Sequence, residues 1–164
     1  MTKIVPIAIS VLRYKGRFLF LKRNRPPYEN LWSMVGGKLE PGEHILEAAR
    51  REIIEETSTS SVENYAFKGL VSERLVDENG SLLAHFLIHL GMAEIGAFSK
   101  NHREGELALF KAQEVHKKQE SFLPSDWYMF NSCLQMDDDF AMFEAELLRT
   151  STGYHLVYYR EAKP

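Results

Sequence analysis

The sequence predicts an α+β fold in which a mixed β-sheet lies between helices. Three observations carry that expectation. Strand-like and helix-like segments are interspersed without the regular strand–helix–strand rhythm of a doubly wound parallel sheet. The run Phe18-Leu19-Phe20-Leu21 is apolar at four consecutive positions, and a strand that is apolar on both faces is covered on both faces. Residues 44–57 carry Ile45, Ala49 and Ile53 at i, i+4 and i+8, with Leu46 widening the stripe, which is the period of a helix buried along one side. A chain of 164 residues has the size of one domain of roughly 100–200 residues, so residues 1–164 are expected to form a single domain.

The elements follow in order. Ile4 to Leu12 is β-branched and apolar, and Arg17 to Arg23 follows the turn Lys15-Gly16, a hairpin pattern. Asn24 to Val35, with Pro26-Pro27, has no periodicity and reads as a long loop of the kind that tends to be functional. Pro41-Gly42 is turn chemistry ahead of the 44–57 helix. Tyr65 to Val76 and Leu82 to Met92 flank Asp77-Glu78-Asn79-Gly80 as a second hairpin. A polar loop over 93–105 leads to a short strand, Glu106 to Phe110, and a short helix, Ala112 to Lys118. Pro124-Ser125-Asp126 starts a further helix reaching about Gln135, with Ser125 or Asp126 as its N-cap. Phe140 to Arg149 and Tyr154 to Glu161 form a third hairpin around residues 150–153.

Composition excludes several functions. Hydrophobic residues make up 45% and charged residues 26%, ordinary for a globular chain and against wholesale disorder. The net charge of −3 disfavours a protein that clamps duplex nucleic acid, although an anionic substrate accompanied by cations can still be held. One cysteine, Cys133, rules out an internal disulfide and a cysteine-based zinc cluster and fits a reducing compartment. Its helical spacing with Trp127, Phe130 and Leu134 places it in the core. No apolar run approaches a membrane span, and the opening Met-Thr-Lys-Ile-Val-Pro lacks a signal-peptide core. A cytoplasmic, soluble protein is expected, monomeric or homodimeric, with no membrane partner.

The chemistry concentrates around the first helix. Glu52, Glu55 and Glu56 are three and four residues apart, on one helical face where like charges repel. Arg51 lies four residues from both Glu47 and Glu55, so taken alone the helix also reads as a solvated, salt-bridged surface. Upstream stand Gly36-Gly37, where the backbone can turn sharply and expose its carbonyls, and Glu43 near the helix start. Clustered carboxylates and a free carbonyl are the hard oxygen donors that Mg²⁺ takes, usually with waters and substrate phosphates.

This segment resembles the Nudix box of the Nudix hydrolases. Gly37, five residues, Glu43, seven residues, then Arg51-Glu52-Ile53-Ile54-Glu55-Glu56 matches every charged position of that box. Two later positions depart: Ser58 stands where Gly is usual, and Thr59 where an aliphatic residue is usual. The resemblance implies the Nudix fold, a mixed sheet sandwiched between helices. It implies hydrolysis of a phosphoanhydride bond in a nucleoside diphosphate linked to another group, with Mg²⁺ or Mn²⁺ as cofactor and a small-molecule nucleotide as partner. It also implies that Glu52 and Glu56 are the principal metal ligands, that Glu55 is a further ligand or holds water, and that the Gly36 carbonyl completes the sphere. Arg51 would orient the glutamates and Glu43 would stabilise the loop.

The stretch from Asn30 to Glu43 is similar to the MutT-type branch, which includes diphosphatases acting on oxidised nucleoside triphosphates such as 8-oxo-dGTP; Val35 stands where many of its members have proline. The runner-up substrate is ADP-ribose or another sugar nucleotide, and a third reading is a catalytically silent nucleotide-sensing module. Glu104 and Glu106 compete for the distant carboxylate that many Nudix proteins carry, Glu104 slightly ahead. Arg23, with Arg25 beside it, is a candidate phosphate or ribose contact, since Arg forks onto phosphates. Tyr28 or Trp32 could stack on a base, with Trp32 equally placed to be core. Asp126 either caps its helix or reads a purine edge.

Overall fold

The structure, a computed structural model, describes residues 2–137 and 139–164. Among these, ten strands join one sheet: β1 (Ile4–Tyr14), β2 (Arg17–Arg23), β3 (Trp32–Ser33), β4 (Val35–Lys38), β5 (Val62–Asp77), β6 (Leu82–Ile95), β7 (Asn101–His102), β8 (Gly105–Phe110), β9 (Ala141–Thr150) and β10 (Gly153–Glu161). The order is β10-β9-β5-β6-β1-β2-β8-β7, with β3 on β2 and β4 on β1. β1 runs parallel to β6 and β5 parallel to β9, while the other pairings are antiparallel. The mixed sheet agrees with the expectation from sequence, as do the three hairpins.

The consecutive apolar residues of β2 show the sandwich most directly. Phe18 and Phe20 pack into a core with Met129, Phe130 and Cys133 of helix α3 (Pro124–Gln135). Leu19 and Leu21 point the other way and pack with Val35 and with Ile53 of helix α1 (Ile45–Thr57). Alternation along one strand therefore feeds two cores, one per face. Helix α2 (Ala112–Lys117) joins the α3 side through Val115. No helix among the described residues is long and apolar enough to cross a membrane.

Four sequence-based expectations need correction. Residues 32–38 lie within or beside the expected loop but form β3 and β4, two short strands that local pattern does not reveal because glycines occupy half of β4. The expected 93–105 loop contributes the end of β6 and the two-residue β7. Leu46 is exposed rather than part of the buried stripe of α1, which comprises Ala48, Ala49 and Ile53. Helix α3 has Leu123 at its N-cap and Pro124 in its first turn. Neither Ser125 nor Asp126 caps it, because proline's fixed φ starts the helix one turn earlier.

The two departures from the box pattern have local explanations. Ser58 adopts φ 60°, ψ 23° at the C-cap of α1, a left-handed conformation that glycine adopts without steric cost. Thr59 is buried, and its hydroxyl donates to Ser61 O at 2.9 Å while accepting from Ser61 N and Gly96 N at 3.3 Å. The hydroxyl is satisfied where an aliphatic group would simply pack.

Candidate active site

A cleft of about 980 Å³ is lined by residues of α1 and of β1, β2, β4, β5 and β6, with Glu104 and, from α3, Asp126. The α1 wall is built around Arg51. Its Nε donates to Glu43 Oε1 at 2.7 Å and its Nη2 to Glu43 Oε2 at 2.9 Å, a forked pair. Nη2 also donates to Lys38 O at 3.0 Å, and Nη1 to Glu52 Oε1 at 2.7 Å and Glu55 Oε2 at 3.4 Å. One guanidinium thus ties the Gly-rich strand, the loop before the helix and two helix carboxylates together. The hydrogen bond from Arg51 holds the Glu43 carboxyl down to about 2.

Glu56 is the most buried of the helix acids, 6% exposed. Burial, then the charges of Glu104 and Glu52, push its pKa well above the carboxylate range, and the Gly36 N–H donates to its Oε2 at 3.3 Å. Glu52 is raised chiefly by burial, with Arg51 opposing and Glu55 and Glu104 adding to the rise. Glu104 therefore stands with the helix acids. Glu106 is exposed, pairs with Lys22 across β8 and β2, and does not line the cleft. In a strand a residue's N–H and C=O point to the same side, so the Gly36 carbonyl faces the same carboxylates as its N–H. Gly37 is needed for this approach: a Cβ there would overlap the Glu52 carboxyl.

The donor set suits a divalent hard cation. Glu52, Glu55, Glu56 and Glu104 crowd together, and among the described residues Arg51 is the cation that pairs with them, reaching Glu52 and Glu55. Among the described residues no three acidic or imidazole side chains close into a ready cage. This is the arrangement expected when waters and substrate phosphates complete the sphere.

In the same cleft, Asp126 Oδ2 accepts the Met34 N–H at 2.8 Å in a buried position. Its pKa is pushed up to about 7 by burial, against the hydrogen bond from Met34 and the charge of Arg23. Arg23 lines the cleft, with Nε donating to Pro27 O at 2.9 Å. Arg25 is exposed and outside the lining. Tyr28 lines the cleft but is only 5% exposed, its ring centroid 4.6 Å from that of Tyr154. It forms part of the wall, tilted against Tyr154. Trp32 packs edge-on against Phe110 at 5.0 Å and is absent from the lining, so it is core. Sequence reasoning missed Glu73, a buried carboxyl beside Tyr28 and Ser125. The available signal was its place at the inward phase of Val71, Glu73 and Leu75 on β5.

Comparison with known proteins identifies the family. The NUDIX domain family model matches residues 1–130. The chain is 36% identical over 73 residues to "Nucleoside diphosphate-linked moiety X motif 6" of Mus musculus, covering 44% of this chain and 22% of that protein. It is 45% identical over 49 residues to "Putative 8-oxo-dGTP diphosphatase" of Bacillus subtilis (strain 168), covering 30% of this chain and 31% of that protein. The chain thus spans less than a third of the length of either curated relative. Among solved structures, a MutT protein from Bacillus halodurans superposes with a TM-score of 0.75 at 26% identity, covering 98% of this chain and 99% of that one. With the box on α1, the mixed sheet between helices and a family match over most of its length, the chain belongs to the NUDIX domain family.

Proposed function

We propose that the protein is a divalent-cation-dependent hydrolase of nucleoside diphosphates linked to a further group, and that it converts a nucleoside triphosphate, including oxidised forms such as 8-oxo-dGTP, to the monophosphate and pyrophosphate. The observation that carries this reading is one cleft lined both by the clustered carboxylates of α1 and by buried hydrogen-bonding side chains. Such a cleft suits a ligand with a polyphosphate and a base. In this reading Glu52, Glu55, Glu56 and the Gly36 carbonyl hold Mg²⁺ or Mn²⁺, which when bound neutralises phosphate oxygens and lowers the pKa of water.

The chain's own residues then have distinct tasks. Arg51 fixes Glu52 and Glu55 while pinning the Glu43 loop. Glu104, beside Glu56 and Glu52, accepts the proton of the attacking water. Arg23 and Asp126 contact the sugar or phosphate and the base, and Tyr28 supports the base end as a wall. The protein works as a single domain, and its one buried cysteine suits the cytoplasm.

The test is a panel of nucleoside triphosphates, 8-oxo-dGTP and ADP-ribose incubated with Mg²⁺, with and without excess EDTA. Pyrophosphate release from a triphosphate, abolished by EDTA, is the expected result. AMP release from ADP-ribose alone would replace the substrate assignment. Full turnover in EDTA, with no metal by elemental analysis, would overturn the cation dependence. No turnover of any compound would mark a silent binding module.

A further inference from the structure

Glu73 is a charged side chain in a place where charge is normally absent. On β5 it takes the inward position between Val71 and Leu75 and is 3% exposed. Its Oε1 receives only the Tyr28 hydroxyl, at a long 3.5 Å. Its Oε2 is buried and has no hydrogen-bond partner. Ser125 Oγ stands close enough to the carboxyl to lower its pKa, yet lies outside hydrogen-bond geometry and is itself unpartnered. Buried polar atoms in folded proteins are nearly always paired, and an exception calls for an explanation such as a missing ligand. Glu73 lines the cleft.

The Tyr28 hydroxyl is spent on Oε1 and the Ser125 hydroxyl is not aligned, so Oε2 is left without a donor. Asp126 presents a second carboxyl, fixed by the Met34 N–H. The Arg23 Nε is already given to Pro27 O. Glu73 and Asp126 thus bring two carboxyls to the cleft, with Glu73 Oε2 unpaired, and a ligand that pairs it must bring a donor. One carboxylate matches two adjacent N–H groups as a fork. Among nucleobases, a ring N–H beside an exocyclic amino group gives that pattern. Adenine instead sets its amino group beside a ring nitrogen that is an acceptor, and that acceptor would face the carboxylate's lone pairs.

We propose that Glu73 is a specificity-determining residue, its carboxylate receiving the ring N–H and adjacent amino N–H of a guanine-type base. This rests on the reading that the cleft takes nucleotides. Burial, with the charge of Asp126, pushes Glu73 up to about 7, so both of its oxygens accept at pH 8.

The experiment measures binding at pH 8 without hydrolysis. Isothermal titration gives Kd for dGMP, for dIMP, which lacks only the amino group, and for dAMP, in wild type, Glu73→Gln and Glu73→Asp. Melting temperatures verify that each variant is folded. Wild type is expected to prefer dGMP over dIMP by about tenfold or more, because a site built to hydrogen-bond a substrate N–H rejects the analogue that lacks it. The ratio should fall to within about threefold in either folded variant. Equal wild-type affinity for dGMP and dIMP, or no binding of either, overturns the assignment without any variant. A ratio preserved in a folded variant overturns it as well. Selective dGMP binding by a protein that hydrolyses nothing would instead overturn the proposed activity and leave the assignment of Glu73 standing.

Discussion

Glu52 and Glu56 differ in what surrounds them, and the difference sets what their loss should do. Glu52 is half tied to Arg51, whereas Glu56 is buried with one long hydrogen bond from Gly36. Glu52→Gln and Glu56→Gln are each expected to lower kcat by about a hundredfold or more, the scale of losing a major electrostatic contributor. Gln keeps the shape and the helix propensity, so the melting temperature should hold. Steady-state kinetics beside a thermal melt checks both, and near-wild-type kcat in either variant rejects the ligand assignment. Glu73 and Asp126 make a different prediction. Both are raised to about 7 from unfolded values of about 4. Between those pH values the native state binds more protons than the unfolded chain, so stability falls as pH rises. The contribution is complete below about pH 4 and lost by about pH 7. Glu56 and Glu52 are also raised and tilt the profile the same way, so the informative quantity is the difference between proteins. Melting temperatures from pH 5 to pH 8 should drop in wild type and drop less in Glu73→Gln. Parallel profiles would mean that Glu73 does not titrate in that window.

Strand β4 fits against β1 and helix α1 because its two glycines lack side chains. A Cβ on Gly36 would strike Ala8 O and come within 2.8 Å of Ile9 Cα, which are backbone atoms of β1 and cannot swing away. A Cβ on Gly37 would meet the Glu52 carboxyl, the far end of a flexible side chain. Gly36→Ala is therefore expected to lower the melting temperature. Gly37→Ala should leave it nearly unchanged and lower kcat by displacing Glu52. Equal loss of stability in both would contradict this division. At the other end of α1, Ser58→Gly relieves a left-handed serine and should stabilise the fold by about 0.5–1 kcal/mol, read by denaturant titration. The acids of α1 were legible in the sequence because helical period and spacing are local properties. The strands β3 and β4 were not, since their pairing to β2 and β1 is decided by distant backbone. Asp126 shows the same limit: its residue type suggested a cap, yet proline started the helix earlier and its carboxylate turned to Met34, 92 residues away. Glu73 was visible as a charge at an inward strand position, but only the assembled cleft shows that its oxygen lacks a donor.

The sheet runs without interruption from β10 to β7, and this continuity bears on how the molecule folds as a whole. The family match ends at residue 130, but the chain beyond it does not hang free. β9 lies parallel beside β5, with Val71 opposite Phe143 and Leu75 opposite Leu147. β10 then brings Tyr154 onto Tyr28, and Tyr159 stacks on Phe143. Leu147 is fully buried in the cluster that also holds Tyr28, Leu75 and Leu123, so the base end of the cleft and the last hairpin share one core. A chain ending at Gln135 would turn β5 into a long unpaired edge and uncover that cluster, which is a template for aggregation. It is expected to be insoluble or to lack a cooperative melt, whereas the full chain should unfold in a single calorimetric transition with matching calorimetric and van't Hoff enthalpies. Two resolved transitions in the full chain, or a truncated chain that melts cooperatively at the wild-type temperature, would show the last hairpin to be an appendage. The wall behind Tyr28 would then have to be supplied by residues before 136 alone.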